Sequence, residues 1–272
     1  MHVLVLGGTG GLGGLVCEEL RRRHATVRAV GRRDGDARDL EVVARLADGA
    51  DAIVNCAGAS VAMAPGRGWR GYTAVDTPIG LAAAEVARRR GVRLVYVAVA
   101  HAPPLASCTY VAAHERVVAA MRDLDAVIVR PTGLYSAYAA LLPMARRGTL
   151  YDIGDGRART NPIDERDVAE IVAEAVRGSG PREIMCGGPE VITRREIFER
   201  VAAVAGRRVV IRGVPRWLAA GAGRALRIVH PRMGQFVQFA VGLARHDVIA
   251  PALGVRRFAD YLQRVDGDVA AA

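Results

Sequence analysis

Short apolar runs alternate with amphipathic segments through the first 130 residues, and this rhythm constrains the fold more than any other feature of the sequence. Each run has the length of a strand buried on both faces, and the runs lie at residues 3–6, 26–30, 52–56, 94–99 and 126–129. Apolar residues at helical spacing, such as Leu12, Val16 and Leu20, lie between the runs. Strict alternation of strand and helix predicts an α/β fold, a doubly wound parallel sheet with helices on both faces.

The alternation of strand and helix patterns becomes less regular after Pro131, where helical patterns dominate. Helices are expected around residues 135–147, 165–177, 193–205 and 232–245, with short strands near 184–186 and 209–211. We therefore predict a sheet domain at 1–130 and a small, mostly helical substrate-binding region at 131–272, intertwined with the first through the strand near 184–186. The candidates for an apolar pocket, each with an ordinary core position as its alternative, are Leu134, Tyr135, Tyr138, Leu141, Leu142, Met144, Trp217, Phe236, Phe239 and Leu243.

The chain is strongly basic, with 38 basic against 28 acidic side chains and a formal net charge of +10. All 38 basic residues are arginine, and arginine clusters fall at expected helix ends, where they suit the helix dipole. Aromatic residues make up only 5% of the chain, and no recognised nucleic-acid motif is present. We therefore expect no nucleic-acid partner.

The cysteines and the apolar stretches exclude several other classes of protein. Cys17, Cys56, Cys108 and Cys186 lie far apart, without Cys-x-x-Cys spacing or a neighbouring histidine, which predicts free thiols and no metal site. No apolar stretch is long enough to predict a membrane span. The opening apolar run meets Gly7 after six residues and lacks the basic lead of a signal peptide, so we expect a cytoplasmic protein.

A glycine-rich loop joins the first predicted strand to the first predicted helix. It contains Gly7-x-x-Gly10-x-x-Gly13, and a pyrophosphate needs this kind of joint, with bare backbone N–H groups at a helix N-terminus and no side chain in the way. Because strand, loop and helix are all present, the pattern favours a dinucleotide site over a tight turn without a ligand. The predicted contacts from this loop are Gly7, Thr9, Gly10, Gly11, Leu12 and Gly13.

The residues after the second predicted strand indicate which dinucleotide binds. A carboxylate there would bind the ribose 2′-hydroxyl of NAD, but the sequence reads Val30-Gly31-Arg32-Arg33. Arg32 and Arg33 can pair with the additional phosphate of NADP. We therefore expect NADPH in preference to NADH; the alternative is a solvated pair of arginines in an arginine-rich chain.

Together these residues resemble the short-chain dehydrogenase/reductase superfamily, in particular its atypical, NmrA-like members. Residues 36–39 resemble the acidic turn against the adenine, residues 55–58 the Asn-x-Ala-Gly turn, and residues 130–133 the nicotinamide-side turn, while 161–164, 167–169 and 254–261 are similar to late motifs of the group. The resemblance implies a Rossmann-type fold. It adds to the cofactor-binding candidates Asp36, Ala37, Cys56, Ala57, Gly58, Val97, Pro131, Thr132 and Gly133.

The sequence departs from this family pattern in two places. The segment between Arg33 and Asp36 is too short for the third strand of such folds, so we expect the sheet to lack or truncate that strand. The catalytic Tyr-x-x-x-Lys of the superfamily aligns with residues 110–114, where histidine replaces lysine, and its serine aligns near Ala98. Ser107 and Thr109 are alternatives for that serine, or N-cap residues of the following helix.

Tyr110 and His114 are the candidate catalytic residues that this resemblance implies. Carbonyl reduction by a nicotinamide needs a proton donor at the reduced oxygen, the role expected of Tyr110. His114 lies four residues later on the same helix face and can hold a ribose hydroxyl or, when protonated, supply part of the missing lysine charge. Two alternatives remain: both are ordinary helix residues near the cofactor, or the substrate's own acidic hydroxyl lends the proton.

These observations predict an NADPH-dependent oxidoreductase that reduces a carbonyl or quinone-like group on an apolar, aromatic small molecule. The alternative is a non-catalytic sensor that binds NADP or NAD and reports to a protein partner, which the missing serine and lysine favour. An isomerase or epimerase fits less well, because a mechanism that recycles the cofactor ordinarily needs the acid–base pair intact.

Overall fold

The computed structural model of the chain describes residues 1–59, 69–178 and 180–270. The strands are, in chain order, β1 (His2–Leu6), β2 (Thr26–Val30), β3 (Ala52–Asn55), β4 (Arg93–Val97), β5 (Ala126–Pro131), β6 (Thr149–Ile153), β7 (Arg159–Thr160), β8 (Glu183–Cys186), β9 (Ile192–Thr193) and β10 (Val210–Val214). The helices are α1 (Gly11–Arg22), α2 (Leu40–Leu46), α3 (Tyr72–Arg90), α4 (Thr109–Ala119), α5 (Tyr135–Ala139), α6 (Leu142–Ala145), α7 (Glu165–Arg177), α8 (Arg194–Ala203), α9 (Arg216–Val229), α10 (Pro231–Leu243) and α11 (Phe258–Ala270).

Six parallel strands form the central sheet in the order β2-β1-β3-β4-β5-β8. From β1 the chain moves to β2 on one side and then to β3 on the other, which makes the sheet doubly wound with its switch point between β1 and β3. The predicted Rossmann-type α/β fold is therefore confirmed. In the described part of the chain β2 is the edge strand, and no strand lies between it and α2, so the strand that we expected to be lacking or truncated is absent there.

Helices cover both faces of the sheet because its strands are apolar on both sides. One core cluster packs α1 and α7 against the sheet through residues such as Val16 and Val172. The other packs α2, α3 and α4 through residues such as Val43, Ala83 and Val117. With both faces buried, the carboxyl ends of the strands form one edge that is open to a ligand.

The second half of the chain contains more helices and strands than the sequence predicts, since α9, α11, β6, β7 and β9 were not expected. The expected strand near 184–186 is β8 and joins the sheet beside β5, while β6 pairs in parallel with β10 and β7 pairs antiparallel with β9. The expectation that Trp217 and Met144 line a pocket is wrong, since they are 75% and 40% exposed. Trp217 lies on α9, which buries only its Ala219 and Gly223 positions.

None of the helices in the described ranges is both long enough and apolar enough to cross a membrane. The apolar cluster of the second half instead gathers α5, α6, α8 and α11 around Tyr135, Leu150, Ile197 and Phe258. α9 and α10 form a separate hairpin, and α10 packs on α4. The second half therefore contacts the sheet domain directly at the helix that contains Tyr110 and His114.

The junction of β1 and α1 depends on backbone packed against backbone. Gly7 adopts a φ of +78°, which favours glycine, and a Cβ atom on it would lie 2.8 Å from the Ala57 Cα atom. A Cβ atom on Gly13 would lie 2.1 Å from the Gly7 carbonyl oxygen. These contacts hold the start of α1 directly on the end of β1.

Gly13→Ala is expected to lower the free energy of unfolding by about 3 kcal/mol, because the new methyl group overlaps backbone atoms that cannot rotate away. Urea denaturation measures the loss. The control is Gly11→Ala in the same helix, where no heavy atom lies within 4 Å of the new Cβ and the change should stay within about 0.5 kcal/mol. Equal losses in the two variants would contradict this account of the junction.

Candidate functional site

The structure places the predicted cofactor-binding residues along the carboxyl edge of the sheet. Residues 7–13 follow β1, residues 32–37 follow β2, and residues 56–58 follow β3. Val97 ends β4, and residues 131–133 lie at the end of β5. Because the strands are parallel and adjacent, these five segments meet at one crevice, at the switch point where α/β sheets bind ligands.

The N-terminus of α1 opens into this crevice without a cap. Gly10 occupies the N-cap position, and no side chain bonds to the first-turn amides, which have no acceptor within the helix. Gly11 is exposed, and the space where its Cβ would lie is empty. Free amides and the positive end of the helix dipole together make an anion site that fits a pyrophosphate.

The loop after β2 presents two exposed arginines, Arg32 and Arg33, beside the carboxylates of Asp34 and Asp36. Arg32 and Arg33 are exposed, and neither forms an ion pair with a described residue. The Asp34 carboxylate accepts a hydrogen bond from the Gly31 amide at 2.7 Å, and hydrogen bonds from Arg38 hold the pKa of Asp36 down at about 2. The loop therefore offers exposed guanidinium groups at the end of β2, and such groups can pair with a phosphate.

Tyr110 lies at the start of α4 in an aromatic cluster. Its ring centroid is 4.6 Å from that of Tyr72, 4.9 Å from that of His114 and 4.8 Å from that of Phe239. Its hydroxyl makes no hydrogen bond to any residue that the structure describes. Burial, with Asp76 adding to it, raises the pKa of Tyr110, so the hydroxyl keeps its proton at neutral pH.

His114 is buried, and only one of its ring nitrogens has a partner in the described chain. A hydrogen bond of 2.6 Å joins Nδ1 to the hydroxyl of Tyr96, while Nε2 has no partner. Burial lowers the pKa of His114 to about 4, with Arg130 acting in the same direction, so the imidazole is neutral at neutral pH. A neutral imidazole does not supply the positive charge of the missing lysine, but it can still hold a hydroxyl, which is the other role expected of His114.

The tautomer of His114 follows from the Tyr96 hydroxyl. That hydroxyl is buried and has His114 as its hydrogen-bond partner, so its hydrogen is satisfied only if it donates to Nδ1. The ring proton then lies on Nε2, which becomes a buried donor without an acceptor in the described chain. Tyr96 was missed from the sequence because it reads as one more apolar strand residue of β4.

Asp76 is a second functional candidate that sequence reasoning missed. It lies on α3 one turn after Tyr72, is 4% exposed, and accepts a hydrogen bond of 3.1 Å from the Ala59 amide. Burial raises the pKa of Asp76 to about 7. The available signal was the (i, i+4) pair Tyr72–Asp76 in the first turns of α3.

Arg130 braces the nicotinamide-side turn and is not free to bind a phosphate. It is 6% exposed, and its guanidinium pairs with Glu115 of α4 at 2.5 Å and with Glu183 of β8. Beside it, the Thr132 hydroxyl donates to the Asn161 carbonyl at 2.6 Å. This network fixes α4, and with it Tyr110, against the end of β5.

The positions of the missing family residues are not refilled by neighbours. Ala98 is buried, and Ser107 is exposed. Cys108, not Ser107 or Thr109, is the N-cap of α4, and it forms no side-chain cap. The cysteines are free, as predicted. Within the described ranges no group of three or more His, Cys, Asp or Glu side chains is arranged to hold a metal ion.

Comparison with known proteins agrees with this geometry. The model of the NAD dependent epimerase/dehydratase family matches residues 3–105. The chain is similar in structure to human epimerase family protein SDR39U1 (isoform 2) with NADPH, at 22% identity over 98% of this chain and 100% of that chain, with a TM-score of 0.73. No curated protein matches the sequence.

Two further solved structures have the same fold. One is the NADPH-dependent quinone oxidoreductase QOR2 of Escherichia coli complexed with NADPH, at 15% identity over 97% of this chain and 99% of that chain, with a TM-score of 0.67. The other is the UDP-glucose 4-epimerase of Thermus thermophilus in complex with NAD, at 23% identity over 79% and 86% of the two chains, with a TM-score of 0.61. At these identities the likeness establishes the Rossmann-type fold.

Asp76→Asn is expected to stabilise the protein at pH 8 and to leave its stability unchanged at pH 4. A carboxyl with a pKa of about 7 in the fold and about 3.9 in the unfolded chain holds its proton more tightly when folded, so its contribution to stability is lost as the pH rises from about 4 to about 7. The gain at pH 8 should be a few kcal/mol at most, because one pKa unit corresponds to about 1.4 kcal/mol.

Urea denaturation of this variant and the unmodified protein at both pH values measures the difference. Asparagine can still accept the Ala59 hydrogen bond, so the comparison isolates the charge. Asp260→Asn, at an exposed position of α11, is the control and should shift stability equally at both pH values. A gain for Asp76→Asn that is the same at pH 4 and pH 8 would count against the raised pKa.

Proposed function

We propose that the chain is an NADPH-dependent oxidoreductase that reduces a carbonyl or quinone-like group of an apolar, aromatic small molecule. One observation carries the proposal: two polar groups on the same face of α4 have no hydrogen-bond partner within the described chain. They are the hydroxyl of Tyr110 and the buried Nε2 of His114, and the two rings are in contact. A buried donor without an acceptor is costly, and a bound ligand removes that cost. Both groups follow β4 at the carboxyl edge of the sheet.

The residues present fit a dinucleotide. The uncapped N-terminus of α1 would hold the pyrophosphate, and the exposed Arg32 would pair with the 2′-phosphate. Two buried donors lack partners in the described chain. Asn55 Nδ2 lies on the last residue of β3, and His114 Nε2 lies on α4, the helix that follows β4. His114 would donate to a ribose hydroxyl, the role that lysine has in the family that the sequence resembles.

The chain's own chemistry is the delivery of a proton. Bound NADPH supplies the hydride to the carbon of the substrate. Tyr110 keeps its proton at neutral pH and presents it to the oxygen that gains negative charge. Phe239 and Tyr72 pack around the ring and exclude water, which favours a flat apolar substrate beside it. The quinone oxidoreductase among the structural neighbours supports this substrate class.

A non-catalytic, NmrA-like sensor is the second candidate, and one observation favours it. The pKa of Tyr110 is raised by burial, by Asp76 and by Tyr72, and the described surroundings hold no cation that lowers it. A tyrosine without such a cation is a weak acid. The sensor would bind the nucleotide at the same crevice and turn nothing over, so activity and binding measured together separate the two candidates.

Tyr110→Phe is expected to lower kcat/KM for NADPH oxidation by quinones and aromatic ketones about 10²- to 10³-fold, because the proton donor is lost. Dissociation constants for NADPH should stay unchanged. The readout is absorbance of the reduced nicotinamide, and Tyr151→Phe, at a 54% exposed position, is the matched control. Unaltered turnover by Tyr110→Phe would assign the proton to the substrate, whereas tight NADPH binding without turnover by the unmodified protein would establish the sensor.

Arg32→Ala is expected to weaken NADPH binding about 10- to 100-fold and to leave NADH binding unchanged, because a charge-assisted hydrogen bond contributes about 1.5–3 kcal/mol. Isothermal titration calorimetry with both nucleotides measures the two affinities. Arg224→Ala removes an equal charge from an exposed position of α9 and should alter neither affinity. Equal losses for NADPH and NADH in Arg32→Ala would mean that Arg32 does not contact the 2′-phosphate.

A further inference from the structure

A buried cluster of opposite charges lies in the second half of the chain, at the start of α8 and the end of β6. We propose that Arg194, together with Arg195 and Asp152, forms a subsite for an anionic group of the substrate, a carboxylate or a phosphate. The inference rests on the proposed function, because it places the substrate in the crevice beyond the nicotinamide-side turn. It adds the class of substrate, an aromatic acid rather than a neutral ketone or quinone.

Arg194 is a buried cation without a hydrogen-bond acceptor in the described chain. Its residue is 9% exposed, its Nε is buried without a partner, and its guanidinium forms no ion pair within 4 Å of a described carboxylate. Buried guanidinium groups are ordinarily paired, because removing their hydration costs several kcal/mol. Many other arginines of this protein pair with Asp or Glu or bond to a carbonyl, so a buried arginine that does neither is unusual here.

Asp152 is the anionic member of the cluster and does not satisfy Arg194. It is fully buried, and neither carboxylate oxygen has a hydrogen-bond partner among described residues. The cation that pairs with it is Arg195, with 3.7 Å between Nε and Oδ2. Burial raises the pKa of Asp152, and the positive charges of Arg194 and Arg195 act against that rise, so both cations lie near the carboxylate.

The net charge of the cluster favours binding of one more anion. Two guanidinium groups and one carboxylate sum to one positive charge even when Asp152 is ionised, and the nearby Asp155 is offset by Arg216, with which it pairs at 3.8 Å. A carboxylate or phosphate monoanion would neutralise the cluster and accept hydrogen bonds from a planar guanidinium. The overall charge of +10 would also attract an anionic ligand toward the protein.

Tyr138 connects the cluster to the proposed site. Its hydroxyl lies 2.3 Å from where a Cβ atom of Gly133 would be, so it packs directly on the nicotinamide-side turn. Burial raises the pKa of Tyr138, and the charge of Arg194 lowers it. Tyr138 lies on α5, and α5 packs against α8, the helix that begins with Arg194. In the proposed subsite, the anionic group of the substrate therefore lies on the α8 side of Tyr138.

The test compares two probes that differ in one charge. 4-Acetylbenzoate and its methyl ester are titrated at pH 7.5 into protein saturated with NADP⁺, and calorimetry gives both dissociation constants. The acid is expected to bind at least 10-fold tighter than the ester to the unmodified protein. Arg194→Met should remove that preference, and Arg194→Lys should retain part of it, because lysine keeps the charge and loses the planar donors.

Arg200→Met is the matched control, since Arg200 lies on the same helix and pairs with Glu190 at 3.0 Å. It should keep the full preference for the acid. Equal binding of the two probes to unmodified protein, no binding of either, or an undiminished preference in Arg194→Met would each overturn the subsite. Weaker NADP⁺ binding in Arg194→Met would overturn it too, by assigning Arg194 to the cofactor.

The outcome is distinguishable from failure of the proposed function. If NADP⁺ does not bind, the proposed function fails, and the same pair of probes is titrated into nucleotide-free protein, where a preference of at least 10-fold that Arg194→Met abolishes still supports the anion subsite. If NADPH binds and neutral ketones are reduced while acid and ester bind equally, only the subsite fails.

Discussion

The contact between the backbones of α1 and β1 is the constraint on which the rest of the site depends. Gly13 lies so close to the Gly7 carbonyl that no side chain fits, and a side chain on Gly7 would likewise overlap the backbone of Ala57 after β3. The helix therefore begins directly at the edge of the sheet, and its free amides face the crevice between β1 and β3. A helix held farther away by side chains would place those amides outside the crevice.

Several buried polar atoms lack a hydrogen-bond partner in the described chain; Asn55 and His114 lie at the carboxyl edge of the central sheet, and Arg194 lies at the start of α8. Asn55, His114 and Arg194 each have a buried nitrogen without a partner among described residues. Each such group lowers the stability of the ligand-free fold, because desolvation is not offset by a hydrogen bond. Other buried polar atoms also lack a hydrogen-bond partner among described residues, namely the Tyr72 hydroxyl and carboxylate oxygens of Asp152, Asp164 and Glu165, whereas the Arg130 guanidinium is paired with Glu115 and Glu183. The unsatisfied groups therefore lie in both halves of the described chain, and a ligand at the proposed site would satisfy only those beside it.

The sequence predicted the elements that consist mainly of apolar residues, and it missed elements that mix apolar with polar residues or that bury only small ones. Strands β1, β3, β4 and β5 are largely apolar, so they read as apolar runs, and the glycine loop followed from the first of them; β2 contains Arg28 and is partly exposed, but its remaining apolar residues were enough to predict it. β6 buries an aspartate, Asp152, and so has no apolar run to detect. Trp217 was misjudged because its size predicts burial, whereas α9 buries only small residues. Arg194 was hidden among 38 arginines, since nothing in its sequence context distinguishes a buried one.

No described residue places an unpaired positive charge beside Tyr110. This limits how readily Tyr110 can donate its proton. His114 is neutral at neutral pH, and the nearby Arg130 is already paired with Glu115 and Glu183. The oxygen of a reduced simple ketone becomes a strongly basic alkoxide unless it is protonated as the hydride arrives, and a weakly acidic tyrosine supports that step poorly. The oxygen of a reduced quinone becomes a phenolate, which is far less basic and matches the acidity of tyrosine. Under the proposed function, the electrostatics of the site therefore fit quinone-like substrates better than simple ketones.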